Sequence, residues 1–479
     1  MRVDPVRHSA QSNPDTLALY DAASTYRETY RELDARVSRV ARGLMNEGVE
    51  RKDRIGILGG IEPAVAHLIH GCFRIGAIPV LLDPTIGSDR VHARCEAVGV
   101  SWAFRTPSVD DVPHTTRSKD VIPSVSEADG VSPVRHDADD TAAILFTSGT
   151  TGSPDAVPLT WKNLFTNAMG SALRLGIQPE DRWLVCLKPY HMGGFAPYIR
   201  AAQSGTGVVS SQPGTASLAT SIDETGATGV SLVPPLLERC LEDEVPLDVL
   251  RTVLVGGDRT DPHLVRRALD ANIPIYCSYG MTEAASQITT APPHVLRETP
   301  GTVGHPLQWV NLDIVDASGA AVPAGESGEL IVRGPTVTPG YIGESDEDRV
   351  TETGALRTGD EGKRDESGKL YITGRTRDRI ITGGATVDPR SIASVLESHD
   401  AVDTAAVIGV PDEEWGERVG ALLQLHNTES VDDILAAVSD RLSSAERPRT
   451  VETVDEMPRT ASGTIDRPNV RRILKTHGT

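Results

Sequence analysis

The sequence predicts an α/β protein of at least two domains, a large N-terminal domain of βαβ-type sheets followed by a small α+β C-terminal domain. Its 479 residues exceed what one hydrophobic core normally supports. Short apolar runs bounded by Gly and Pro alternate with stretches of helical periodicity, which is the pattern of parallel βαβ units. Small residues also gather just past the predicted strands, at the carboxyl ends where open α/β sheets collect ligands.

Residues 29–47 place Leu33, Val37, Val40, Ala41 and Leu44 at helical spacing, with Gly48 as a stop. Residues 55–58 read as a strand, Pro63–Ile75 as a mostly apolar helix, and Ile78–Leu82 as a strand closed by Asp83-Pro84. His67 and His70 lie three apart on that helix with no carboxylate partner in the pattern, so they read as core or surface histidines rather than ligands. Residues 107–140 are polar and rich in Asp, Ser, Pro and Val, a connection with little structure.

The apolar run 142–145 reads as a buried strand that empties into FTSGTTGSP at 146–154. Gly149 and Gly152 let the backbone approach a ligand and turn its N–H groups inward, while Thr147, Ser148, Thr150 and Thr151 add hydroxyl donors without bulk. Such a loop suits a polyphosphate; the alternative is a polar surface loop. The Walker pattern G-x-x-x-x-G-K-[ST] is absent.

Trp161–Leu175 has helical periodicity, and 183–187 is a strand leading into PYHMGG at 189–194. His191 there is an acid or base, a neighbour of a carboxylate, or a ring packed over a pocket. Residues 230–238 read as a strand turning through Pro234-Pro235, and 253–257 as a strand ending in Gly256 and Gly257. In SYGMTEAASQI at 278–288, Gly280 allows close backbone approach, Thr282 can donate to a phosphate oxygen, and Glu283 can hold a magnesium ion that bridges phosphates.

FTSGTTG, followed about 130 residues later by YGMTE, resembles the phosphate- and adenylate-binding motifs of the acyl-adenylate-forming superfamily, which includes acyl-CoA synthetases, luciferases and peptide-synthetase adenylation domains. SQI at 286–288 is similar to the version found in o-succinylbenzoate–CoA ligases of menaquinone biosynthesis. The resemblance implies that the 147–152 loop binds nucleotide phosphates, that Tyr279 flanks the adenine with Gly256, Gly257 and Gly280 nearby, and that His191, Ser286 and Gln287 face the acid. GTVGHP at 301–306, GESGELIVRG at 325–334 and Gly340-Tyr341 then suit the small β-subdomain of that family. Asp360 of LRTGD, whose two oxygens can accept both ribose hydroxyls, is a nucleotide ligand or else a turn carboxylate. GRTRD at 374–378 resembles the family hinge, with Arg375 on the nucleotide and Arg377 at the pivot, which places the domains at 1–376 and 377–479. The last hundred residues read as helix 391–398, strands 402–410 and 420–426 and helix 431–442, ending in PRTASGTIDR at 458–467. Arg467 matches a catalytic-segment arginine of the family. Ser153, Asp155 and Thr464 stand where the family carries lysines.

The implied activity is an ATP-, Mg2+- and CoA-dependent acid–thiol ligase, with o-succinylbenzoate as the acid. Alternatives are a medium-chain or aryl-acid CoA ligase, or a degenerate member that binds nucleotide or acyl-adenylate without efficient adenylation. Arg200, nine residues after His191 on the next helix, is the candidate for a second carboxylate; the alternative is a solvated helix arginine.

Composition narrows the partners. A net charge of −20 argues against nucleic acid and anionic membranes, since both phosphate surfaces would repel the chain. Only seven lysines accompany forty arginines, and aromatics make up 4%, a balance that suits a salt-accumulating cell; an ordinary acidic enzyme is the alternative. Five scattered cysteines without a C-x-x-C indicate neither a disulfide framework nor a zinc site. No signal segment or membrane-length apolar run appears, so the expectation is a cytoplasmic, reduced protein.

Overall fold

A computed structural model describes residues 4–24, 26–106, 118–120, 131–147, 155–343, 349–375, 380–382, 385–412, 415–426, 429–460 and 465–476. The chain forms two compact units, one of residues 1–313, 331–357 and 365–371, the other of 314–330, 358–364 and 372–479.

The first unit carries two large sheets. In the six-stranded sheet the order is Ser118–Asp120, Trp102–Arg105, Arg54–Leu58, Ile78–Leu82, Thr141–Phe146 and Ala156–Thr160, all neighbours parallel except the last pair. The nine-stranded sheet has a parallel centre, Ile275–Met281, Thr252–Val255, Gly229–Leu232, Arg182–Val185, Gly207–Ser210 and Leu17–Asp21, with antiparallel strands added at both ends. Strands inside such a sheet are buried on both faces, which is why 142–145 and 253–255 are continuously apolar.

The Tyr30–Asn46 helix starts on a capping box in which Thr29 and Glu32 satisfy each other's backbone N–H groups, a device worth about 1 kcal/mol. Its apolar stripe, Leu33, Val37, Val40, Ala41 and Leu44, is buried as the spacing requires. The Pro63–Ile75 helix is apolar nearly all round because it is buried from Val65 to Ile75. It packs with the Trp161–Leu175 and Met192–Ser204 helices into one core, while Thr215–Thr225, Pro234–Glu242 and Pro262–Asp270 contribute to another.

Several local expectations change. Pro234-Pro235 does not turn a strand; it opens the Pro234–Glu242 helix, where a missing N–H and a fixed φ cost nothing. His67 does have a carboxylate neighbour, Glu28, 2.7 Å from Nε2 and buried with it. The pattern hid this pair because its partners are 39 residues apart. The Pro5–Ser12 helix and the Leu17–Asp21 and Tyr26–Thr29 strands were not anticipated; all are short, and their apolar spacing is weak. All five cysteines are free and buried, and burial pushes Cys186, Cys240 and Cys277 up to about 12. Within residues 107–140, the 118–120 strand is described and 131–137 is irregular; 107–117 and 121–130 lie outside the described residues.

In the second unit, Val402–Asp412 and Gly416–Leu425 form a long antiparallel pair, and Gly416–Leu425 also pairs with Thr450–Val454, in parallel, and at Gly416 with Ile380–Thr382, antiparallel. The Pro389–Glu397, Val431–Val438 and Arg467–Thr476 helices complete an α+β arrangement. Its core joins Ile392, Leu396, Val407, Ala421, Leu423 and Ile434. The strands Asn311–Val315, Ser327–Arg333, Leu356–Arg364 and Leu370–Arg375 run adjacent in a separate four-stranded sheet.

Candidate active site

The Thr141–Phe146 strand delivers Thr147 to the mouth of the phosphate-type loop, and the Thr147 N–H closes the loop's base by donating to the Asp155 carbonyl at 3.0 Å. Ser148, Gly149, Thr150, Thr151 and Gly152 lie outside the described residues, as do Ser153, Arg377 and Thr464. Thr147 Oγ1 is buried with no hydrogen-bond partner among the described residues. A buried hydroxyl without a partner is costly, so its position at the loop mouth fits a ligand that brings phosphate oxygens.

The strand Ile275–Met281 and the hairpin partner Ser286–Ala291 are linked by a short 3-10 turn, Thr282–Ala284. Gly280 is obligatory here: a Cβ at that position would sit 2.0 Å from the Ser286 carbonyl oxygen. The turn drives Glu283 inward until it is 4% exposed. Two groups converge on its Oε1, the Tyr341 hydroxyl at 3.0 Å and the Arg349 guanidinium at 3.5 Å. Arg349 also lies 3.8 Å from Asp155, so one arginine spans the stem of the phosphate-type loop and the TE carboxylate. Burial, and then Glu283, pushes the Tyr341 phenol far up, which keeps it a donor. Nothing in the local sequence singles out Arg349, because its ion partners Asp155 and Glu283 come from two distant segments.

Among the described residues no group of three or more His, Cys, Asp or Glu could hold a metal. The donor set fits magnesium all the same: that ion takes one or two carboxylates and completes its shell with water and phosphate oxygens, and Glu283 offers such a carboxylate.

Gly256 and Gly257 close the Thr252–Val255 strand, Gly257 with φ 86, and a Cβ on Gly256 would lie 3.1 Å from the Ser278 carbonyl oxygen. They therefore lie beside the strand that carries Tyr279, itself half-buried. His191 caps the start of the Met192–Ser204 helix, where Gly194 permits contact with the 187–188 backbone that a Cβ would block at 2.3 Å. Its Nε2 is buried with no hydrogen-bond partner among the described residues, and its ring lies edge-on to Tyr190 at 4.8 Å between centroids. Burial lowers its pKa, with Asp83 opposing and Arg94 adding, so the ring is held neutral.

A small cavity opens between the Trp161–Leu175 and Met192–Ser204 helices and the 284–287 turn, lined among others by Asn167, Ser171, Met192, Ile199, Arg200 and Ser286. Arg200 is not solvated. It is 4% exposed, donates from Nη1 to Ser171 Oγ at 3.2 Å and stacks on Trp183 at 4.0 Å. Its Nη2 is buried with no partner among the described residues, and burial lowers the guanidinium to about 10 despite Asp181. Gln287 is buried and accepts from Thr290 Oγ1 at 3.2 Å, outside that lining. Asn167 and Ser171 escaped the sequence reading because polar residues on a helix usually face water.

In the second unit Asp360 is 5% exposed on the Leu356–Arg364 strand and accepts from Arg375 Nε at 3.0 Å. Arg467 opens the Arg467–Thr476 helix. No helix among the described residues is long and apolar enough to cross a membrane.

An AMP-binding enzyme model matches residues 6–342, and the AMP-binding enzyme C-terminal domain matches 391–464. The chain belongs to the AMP-binding enzyme family. It is 31% identical to a 2-succinylbenzoate–CoA ligase of Bacillus pumilus across 96% of both chains, and 32% identical to one of Bacillus subtilis across 97% of both. Among solved structures, it is similar to the B. subtilis o-succinylbenzoate CoA synthetase in complex with its acyl-adenylate intermediate, with a TM-score of 0.89, 30% identity and 98% of each chain covered. The same synthetase with ATP and magnesium gives a TM-score of 0.87 at 30% identity, over 98% of this chain and 99% of that one.

Proposed function

We propose that this protein is an ATP-dependent acid–thiol ligase that converts o-succinylbenzoate to its CoA thioester through an acyl-adenylate. The acid's carboxylate oxygen attacks the α-phosphorus of ATP and pyrophosphate leaves; the CoA thiol then attacks the acyl carbon and AMP leaves. No protein nucleophile is required. Residues 147–152 would cradle the phosphates, with the Thr282 hydroxyl as a further donor. Tyr279, Gly256, Gly257 and Gly280 would form the adenine pocket, and Asp360 and Arg375 would serve the ribose. Glu283 would hold a magnesium ion, which neutralises charge on the phosphates. Tyr341 and Arg349 support this role by fixing Oε1 of that carboxylate. His191 is not among the residues lining the cavity beside Arg200; its neutral ring would pack near the acid rather than act as a charged partner. Arg377 would act as a hinge between 1–376 and 377–479, with Arg467 on the segment that serves adenylation.

The observation that carries the choice of acid is Arg200. o-Succinylbenzoate keeps one carboxylate after the other is activated, and that anion needs a charged donor in a dry pocket. Arg200 is among the residues lining the cavity, and its buried guanidinium keeps an Nη2 without a hydrogen-bond partner among the described residues. A ligase for monocarboxylic acids would have no use for it. ATP–pyrophosphate exchange across a panel of acids tests the proposal: o-succinylbenzoate should support exchange well above aryl and medium-chain monoacids.

A second reading is favoured by Ser153, Asp155 and Thr464, which leave the two phosphate-facing segments without lysine. In that reading the chain binds acyl-adenylate but adenylates poorly. Exchange absent with every acid, while supplied acyl-adenylate is consumed, would select it. The acid surplus further supports a cytoplasmic setting of high salt.

A further inference from the structure

The 284–287 turn is held in a conformation that its residues do not favour. Ala285 has φ 56 and Ser286 has φ 129, both in the region where an L side chain meets its own backbone. The turn has no room to relax toward the neighbouring strand, because Ser286 O already sits where a Cβ at Gly280 would be. On its other side is Asn167, 3% exposed on the Trp161–Leu175 helix. Its Nδ2 donates to the Ala284 carbonyl at 3.0 Å and to the Gln287 carbonyl at 2.8 Å. Those carbonyls stand immediately before and after the two strained residues. A primary amide is the side chain that suits this place: one nitrogen, two hydrogens, no charge. Ser offers one hydrogen, and Asp offers none when ionised.

Ala285 and Ser286 share the cavity lining with Arg200, and Asn167 lines it too. We infer that Asn167 is a specificity-determining positioning residue, whose amide clamps the strained 284–287 turn so that Ala285 and Ser286 hold the wall of the acid cavity. The inference rests on the reading of this cavity as the acid site. Loss of the clamp lets the turn relax and moves the wall away from the acid, while the phosphate-type loop at 147–155 is untouched.

The test is steady-state kinetics of Asn167→Ala and Asn167→Ser on the full chain, with thermal melts of each, using the acid that gives the fastest exchange in the unaltered protein. Asn167→Ala should raise the acid KM about tenfold, as a misplaced pocket wall would, and leave the ATP KM within about twofold. Discrimination between that acid and its next-best competitor should fall. Asn167→Ser, which keeps one donor, should fall between the two; it also decides the matter if the Ala variant does not fold. A structural role alone would lower the melting temperature and leave both KM values, and the discrimination, where they were. That result, or equal rises in acid and ATP KM, overturns the inference. If the fastest acid is not o-succinylbenzoate, the substrate proposal fails while the clamp is still judged on the KM split.

Discussion

Two arginines among the described residues of the first unit are buried, and they are treated in opposite ways. Arg74, fully buried, has every nitrogen engaged: Nε to Asp4 at 2.7 Å, Nη1 to Ser38 at 2.6 Å and to the Asp34 carbonyl at 2.9 Å, Nη2 to Asp34 at 2.6 Å. Arg200, which lines a cavity, has one serine, one aromatic face and a buried donor left over among the described residues. Taking a guanidinium out of water costs several kcal/mol unless its hydrogen bonds are replaced. A closed set such as that of Arg74 ties three helices together, whereas an open set leaves a charge available to a ligand. The difference separates a structural charge from a binding one more sharply than burial does, since both are buried.

The contrast breaks first at Arg74. Replacing Arg74 with Leu strands Asp4 and Asp34 without their cation, and urea unfolding should show a loss of about 3–5 kcal/mol, the usual effect of removing one partner of a buried pair. Arg200→Leu should cost far less, because no carboxylate is left stranded at 4 Å or closer among the described residues.

The same cluster holds a pH dependence. His70 lies on the helix that carries Arg74, and burial, with Arg74 adding and Asp4 opposing, lowers it from 6.5 to about 4. The unfolded chain therefore binds this proton at higher pH than the folded one, so stability is complete above pH 6.5 and falls as the pH drops toward 4. The loss attached to this residue is about 3 kcal/mol. Denaturant midpoints between pH 7 and 4 should fall steeply in the unaltered protein and less so in His70→Phe.

On the open side of the contrast, Arg200→Leu should raise the KM for o-succinylbenzoate by roughly 10–100-fold, the value of a charged hydrogen bond in a dry site, with the ATP KM nearly unchanged. Equal effects on both substrates would remove Arg200 from the acid site. The smallest effect concerns surface charge, which unlike the Arg74 cluster is open to screening. Melting temperature should fall by a few degrees from molar to dilute KCl as the carboxylate excess loses its counter-ions. A flat or rising trend would remove the high-salt reading.

Where the sequence was legible, short-range physics was at work. FTSGTTG and YGMTE stand out because a backbone that must approach another group closely needs glycine at set positions; at Gly280 the structure shows that group to be the Ser286 carbonyl of its hairpin partner strand. The Tyr30–Asn46 helix and its cap follow from periodicity and one Thr–Glu pair within a single turn. Arg200 was not legible as a buried residue, because an arginine on a helix looks solvated until the Trp183 strand is placed beneath it. Pro234-Pro235 misled because a proline pair breaks a strand and opens a helix equally well.

By itself, then, the sequence determined the βαβ alternation, the order of the motifs and the chemistry they imply, since each depends on residues within a turn or two of one another. The tertiary structure alone decided which buried polar groups are closed and which are open. Asn167 reaches across 117 residues to Ala284, Tyr341 across 58 to Glu283, and Arg74 across 70 to Asp4. Whether a buried donor meets a partner or is left without one is settled by packing between distant segments, and no local pattern records it.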